Sequence, residues 1–107
     1  MNFRYPAVSL IAGLLLLPAA ALADKARVEV GHGTFEPSAV TVKAGSKVTF
    51  KNVVQMPGGH TIAFEEIDAE SGPLGNGEKW SHSFDEPGTY HFYVKEHPDN
   101  RGIVTVK

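Results

Sequence analysis

Two histidines, His60 and His97, are the strongest candidates for chemistry in this 107-residue chain, because both lie beside turn-forming residues. His60 follows the proline- and glycine-containing stretch 56–59 and opens a predicted strand, and His97 lies in the predicted loop before the last strand. Neutral imidazole is a common metal ligand when side chains converge from loops on a rigid scaffold. If the two loops meet at one end of the domain, they form a two-histidine metal site. Taken singly, each is more often a solvated surface histidine.

The other three histidines are weaker candidates. His91 alternates with aromatic neighbours along a predicted strand and is expected to face solvent from the outer side. His82 shares a strand face with two aromatic residues and is interpreted as a core or rim histidine. His32 lies between two glycines, and we expect it to be a solvated loop residue.

The composition excludes several classes of function. There is no cysteine, so thiol catalysis, disulfides, iron–sulfur clusters and thiolate metal sites are ruled out. Neither a serine–histidine–acid set nor a pair of carboxylates can be assembled, and an enzyme is not predicted. The net charge is −2 and there is no basic stripe, which argues against nucleic acid as a partner. Acidic residues cluster within 65–70, where a solvated loop and a docking face remain open.

The N-terminal segment resembles a secretory leader. The basic residue Arg4 precedes an apolar run over 7–17, and Ala21-Leu22-Ala23 fits the small-residue cleavage rule. We therefore predict a signal peptide at residues 1–23, one domain at residues 24–107, and a periplasmic protein that is not inserted in the membrane after cleavage. An uncleaved anchor is the alternative, but the apolar run is short for a membrane span.

Short β-branched segments separated by turn residues predict an all-β fold, a Greek-key β-sandwich or small barrel. No stretch has helical periodicity. A turn is predicted at Ala44-Gly45-Ser46, and residues 65–79 are predicted to form an acidic, glycine-rich loop. The predicted strands cover residues 27–30, 39–42, 47–54, 60–64, 80–84, 89–94 and 102–106.

Several segments along residues 28–106 together resemble the cupredoxin, or blue-copper, family, especially its amicyanin, plastocyanin and pseudoazurin branches. They are Phe35-Glu36-Pro37, the apolar positions Val40, Val42, Val48 and Phe50 with Gly45, the loop Met56-Pro57 ahead of His60, and Pro87-Gly88-Thr89-Tyr90 followed by Phe92 and Tyr93.

The resemblance implies a copper site with two of its four ligands missing. The family's ligand loop has a cysteine, then a histidine, then a methionine; here Val94, His97 and Asn100 occupy those positions. His60 and His97 are the retained ligands. A site built from nitrogen and oxygen donors favours Cu(II) and would not be blue, and it would bind Zn(II) or Ni(II) more weakly. The remaining donors are left open among Asn100, Asp99, Glu96 and Gln55, with Met56 as a softer donor for Cu(I).

The sequence is compatible with three functions. The first is copper carriage, buffering or delivery by a monomer that meets a periplasmic redox or copper-handling protein. The second is electron transfer, the usual role that the resemblance implies, against which Val94 argues. The third is a metal-free binding module on the same scaffold.

Overall fold

The computed structural model of the protein describes residues 23–107. The predicted signal peptide lies outside this range except for Ala23, the first residue of the first strand, and its cleavage stays a prediction. The described residues contain strands and turns but no helix, so no helix among them is long and apolar enough to cross a membrane.

Eight strands form one mixed sheet that folds into two layers, and the predicted all-β class is confirmed. Along the sheet the order is β2-β1-β3-β8-β7-β4-β5, and β6 also pairs with β3. The β1–β3 and β3–β8 pairs are parallel and the others are antiparallel. The strands are β1 Ala23–Val30, β2 Phe35–Glu36, β3 Ala39–Asn52, β4 His60–Phe64, β5 Glu70–Leu74, β6 Lys79–Phe84, β7 Gly88–Val94 and β8 His97–Val106.

Strand β3 joins the two layers. Its first part, residues 39–42, pairs with β8, and its second part, residues 46–52, pairs with β1 and β6. The predicted turn at residues 44–46 is wrong, because the chain bends there without ending the strand. Gly45 has a φ of 91°, a conformation that glycine adopts at no steric cost. The strand ends at Asn52, two residues before the predicted end.

The predicted loop over residues 65–79 is wrong in part, because Glu70–Leu74 forms β5. This strand pairs with β4, with Leu74 opposite His60 and Pro73 opposite Thr61. It lies at the edge of the sheet, where a proline is tolerated because one side of the strand needs no hydrogen bonds. The glycine and proline of this segment are typical of loops, so composition did not predict the strand. Its last residue, Leu74, pairs with His60.

Aromatic rings fill the space between the layers, as their strand spacing predicts. Phe92 is fully buried and meets Phe35 and Phe50 edge to face at centroid distances of 4.7 and 5.0 Å. Such pairs add to the free energy gained from burial alone. His82 stacks on Trp80 at 5.7 Å and is half-buried, which confirms the predicted rim position.

The outer face of β1, β3 and β6 is strongly basic, although the sequence has no basic stripe. Cross-strand register builds three rows there: Lys25 with Lys47 and Ser83, Arg27 with Thr49 and Ser81, and Glu29 with Lys51 and Lys79. Five of these nine side chains are cations and one is an acid. Within residues 23–107 none of the five forms an ion pair. We call this surface the basic face.

Gly102 tests how closely β8 packs on the core. A Cβ atom there would lie 2.7 Å from the backbone oxygen of Ser38 and closer still to the Phe92 ring. We expect Gly102→Ala to lower the free energy of unfolding by about 1–3 kcal/mol, the usual cost of overpacking. Urea denaturation followed by Trp80 fluorescence measures it. The matched control is Gly75→Ala, whose Cβ would meet only the flexible Glu78 carboxylate at 3.5 Å. Equal stabilities of the two variants would contradict the prediction.

Candidate metal centre

A tight turn delivers His60 to the interior at the start of β4. The backbone N–H of Gly59 donates to the carbonyl of Met56 at 2.9 Å, which closes a four-residue turn. Proline at its second position and Gly58, with a φ of 87°, at its third are typical of a type II turn. The turn places His60 inside the fold, where it is only 1% exposed.

The buried amide of Asn52 fixes the tautomer of His60. Its Nδ2 donates to the carbonyls of Leu74 at 2.8 Å and Val54 at 3.1 Å, so the amide can stand in only one orientation. Its Oδ1 is therefore the atom that lies 3.0 Å from Nδ1 of His60, and that nitrogen must carry the proton. The Nε2 atom of His60 keeps the lone pair, and it is the ring atom available to a metal.

The electrostatics of the site keep His60 neutral. Burial lowers the pKa of His60 below its ordinary value, because the imidazolium form would lose its hydration. The carboxylate of Glu96 acts in the opposite direction, and the nearby His97 and His32 add a further lowering. A neutral imidazole is the form that binds a metal.

His97 lies beside His60 but in a different environment. Their ring centroids are 6.0 Å apart with an interplanar angle of 60°, so the two retained histidines do meet. His97 is exposed, whereas His60 is buried. The predicted loop position of His97 is wrong in detail, because β8 begins at this residue and pairs it with Val94.

A second set of contacts ties the turn before His97 to the strand that carries His60. The N–H and the hydroxyl of Thr61 each donate to the Glu96 carboxylate at 2.7 Å, and the N–H of Lys95 donates to the Thr61 carbonyl at 2.9 Å. Burial alone would raise the pKa of Glu96, but the hydrogen bonds from Thr61, together with the Glu96 backbone and the charge of His60, give a net lowering of its pKa. Both carboxylate oxygens are engaged, so Glu96 holds the loop rather than standing free as a ligand.

The two histidines share a cavity of about 400 Å³ at this end of the fold. Its lining consists of His32, Gly33, His60, His97, Asp99 and Asn100. Asn100 is 8% exposed, and its side chain makes no hydrogen bond within the part of the chain that the structure describes. Asn100 therefore offers its amide oxygen and its amide N–H groups to the cavity.

The lining of the cavity distinguishes between the additional metal ligands that the sequence left open. Asp99 and Asn100 line it, whereas Gln55 and Met56 do not. His32 is the member that the sequence reading missed: it is solvent-exposed as expected, but it also lines the cavity. Only its glycine neighbours hinted at a special loop.

Val94 is a core residue that lies opposite His97 in the β7–β8 pair. It is fully buried and lies opposite Ile62 in the β4–β7 pair. It belongs to the hydrophobic core and does not line the cavity. A donor set of imidazole, amide and carboxylate therefore suits copper without sulfur, and the residues present do not suit a blue-copper centre.

A different group of possible donors lies on the flank of the molecule. Glu65, Glu66 and His91 place their ligand atoms within 4.8 Å of one another. Glu66 accepts from the ring and the backbone N–H of His91, at 2.5 and 2.7 Å, and Arg101 pairs with Glu65. These internal pairings satisfy the cluster, and His91 lies at the surface as predicted.

The family match and the relatives of known sequence agree with one another. Residues 6–106 match the family described as "Cupredoxin-like domain". Amicyanin-alpha from Methylorubrum extorquens is 33% identical over 104 residues, which cover 92% of this chain and 86% of that protein. A chloroplastic plastocyanin from Hordeum vulgare is 35% identical over 104 residues, which cover 85% of this chain and 66% of that protein.

Solved structures agree with the sequence matches. A purple cupredoxin from Nitrosopumilus maritimus superposes with a TM-score of 0.70 at 27% identity, over 77% of this chain and 99% of that one.

The Asn52 amide offers a test of the site that needs no metal. We expect Asn52→Ala to lower the free energy of unfolding by at least about 2 kcal/mol, because it leaves Nδ1 of His60 and the Leu74 carbonyl unpaired in the interior. Urea denaturation of the metal-free protein measures the loss. Asn76→Ala, in an exposed turn, is the matched control and should change little. A loss no larger than that of the control would show that the amide network is unimportant.

Proposed function

The chain belongs to the cupredoxin-like domain family, and on that premise we propose that it binds copper through His60 and His97 in a site that is not blue. Its role would be to carry or buffer copper in the periplasm. The observation that carries the proposal is the neutral, oriented imidazole of His60 sharing a cavity with the exposed imidazole of His97.

The donor set decides the kind of copper site. Two imidazoles with the amide of Asn100 or the carboxylate of Asp99 give a harder site than thiolate and thioether do, and they favour Cu(II). Bound there, copper would be held by nitrogen and oxygen donors and would lack the short bond to sulfur that gives blue centres their colour. Asn100 would give a lone pair of its amide oxygen, which accepts no hydrogen bond from residues 23–107.

Electron transfer is the less favoured alternative. It rests on the family resemblance and on amicyanin-alpha and plastocyanin among the relatives. The buried Val94 supplies no donor where that role needs a thiolate, and the described residues hold no cysteine to replace it. A metal-free binding module is the third candidate, and the imidazole, amide and carboxylate groups that line the cavity favour the copper site over it.

Export and partner choice are part of the proposal. The leader-like residues 1–23 support a periplasmic location, and a copper-handling or redox protein there is the partner that the proposed cargo needs. We expect the chain to act as a monomer.

Copper titration tests the proposal directly. We expect the purified domain to bind a stoichiometric amount of Cu(II) and to show no intense visible absorption, because no thiolate is present. The double variant His60→Ala, His97→Ala should bind at least about tenfold more weakly, since both imidazoles are lost. Isothermal titration with electron paramagnetic resonance gives the affinity and the ligand type.

His82→Ala serves as the matched control, because His82 lies among aromatic rings outside the cavity lining. Equal copper affinity of the double variant and this control would refute the two-histidine site. An intense absorption in the visible region would refute the assignment as non-blue.

A further inference from the structure

His32 is the third histidine of the cavity, and no comparison or motif assigns it a role. We propose that His32 is a protein ligand of the copper, so that the site is built on three imidazoles. This inference rests on the proposed function, because it concerns the same cavity. It adds a donor from the β1–β2 connection, more than twenty residues away in sequence from either of the other two.

The β1–β2 loop is built to hold His32 at the cavity mouth. Only four residues separate the two strands, and the N–H of Gly31 donates to the carbonyl of Thr34 at 2.9 Å to close the loop. Gly33 has a φ of 71°, in the left-handed region that glycine favours. Apart from its two chain neighbours, no residue has an atom within 4 Å of where a Cβ of Gly33 would be, so this flank of the loop is open. His32 is thus an exposed residue of a short, closed loop, and it lines the cavity.

The three imidazole side chains differ in how tightly the fold holds them. His60 is locked by Asn52 and serves as the fixed point, whereas His32 and His97 are exposed. Among the described residues, only Glu65, Glu66 and His91 bring three ligand atoms within 4.8 Å of one another. The cavity donors are therefore more widely spaced in the metal-free protein, and side-chain rotation at His32 and His97 brings them to the metal.

Three imidazoles define the class of ligand. Nitrogen-rich sites select copper and zinc over the hard cations calcium and magnesium, which prefer oxygen. Asp99, which also lines the cavity, is the competing donor. The choice between His32 and Asp99 changes the number of coordinated nitrogens, which spectroscopy counts directly.

The experiment uses the full domain in a His91→Gln background. This change removes the His91 donor from the Glu65, Glu66 and His91 cluster, which otherwise offers copper a second place to bind. Cu(II) is added in stoichiometric amount, and pulsed electron paramagnetic resonance counts the coordinated imidazoles. His32→Ala and His32→Gln are compared with Asp99→Asn. Both positions are exposed, so the fold is expected to tolerate each change.

We expect three imidazoles in the background protein and two in both His32 variants, with an affinity at least about tenfold lower in those variants. Asp99→Asn should keep three. Two imidazoles in every protein, with unchanged affinity on loss of His32, would overturn this inference and leave the His60 and His97 site standing. Absence of any copper binding in the background protein would overturn both.

Discussion

The amide of Asn52 is the interaction on which the cavity end of the fold depends. It is fully buried and forms four hydrogen bonds, which join the end of β3, the loop after it, the end of β5 and the ring of His60. A buried amide is costly unless every donor and acceptor is used, and here each one is. Since two carbonyls set the orientation of the amide, they also set which nitrogen of His60 carries the proton.

The rest of the site is arranged around that fixed imidazole. Thr61, the next residue, binds the Glu96 carboxylate and the Lys95 backbone, so the turn leading to His97 is fastened to the same strand. Folding alone orders the ring of His60, because its Nδ1 is bonded to a buried amide, whereas His97 is exposed and keeps its side-chain freedom. Val94 belongs to the hydrophobic core and does not line the cavity, so the donors that the lining offers are nitrogen and oxygen atoms.

Alternation and turn residues were enough to predict the all-β class and the aromatic core, whereas the meeting of His60 with His97 was expected only on the condition that their loops reach the same end of the domain. These patterns gave wrong predictions where a residue type that is typical of turns lies inside a strand. Gly45 looks like a turn but bends a continuous strand, and the glycine and proline of β5 look like a loop but lie on a sheet edge. His32 could not be found because its proximity to His60 comes from the packing of distant strands, and no local pattern records that.

The basic face has a consequence for how the molecule meets other bodies in solution. The net charge of −2 suggests a weakly acidic particle, but five cations on one rigid sheet surface make the local field there positive. Such a field acts over roughly 8 Å at physiological ionic strength. Within that distance it orients the protein relative to a charged surface before the two make contact. An anionic surface therefore encounters this protein in a preferred orientation, and the preference fades as salt is added. The charge distribution of the fold is therefore asymmetric, which the net charge alone does not show.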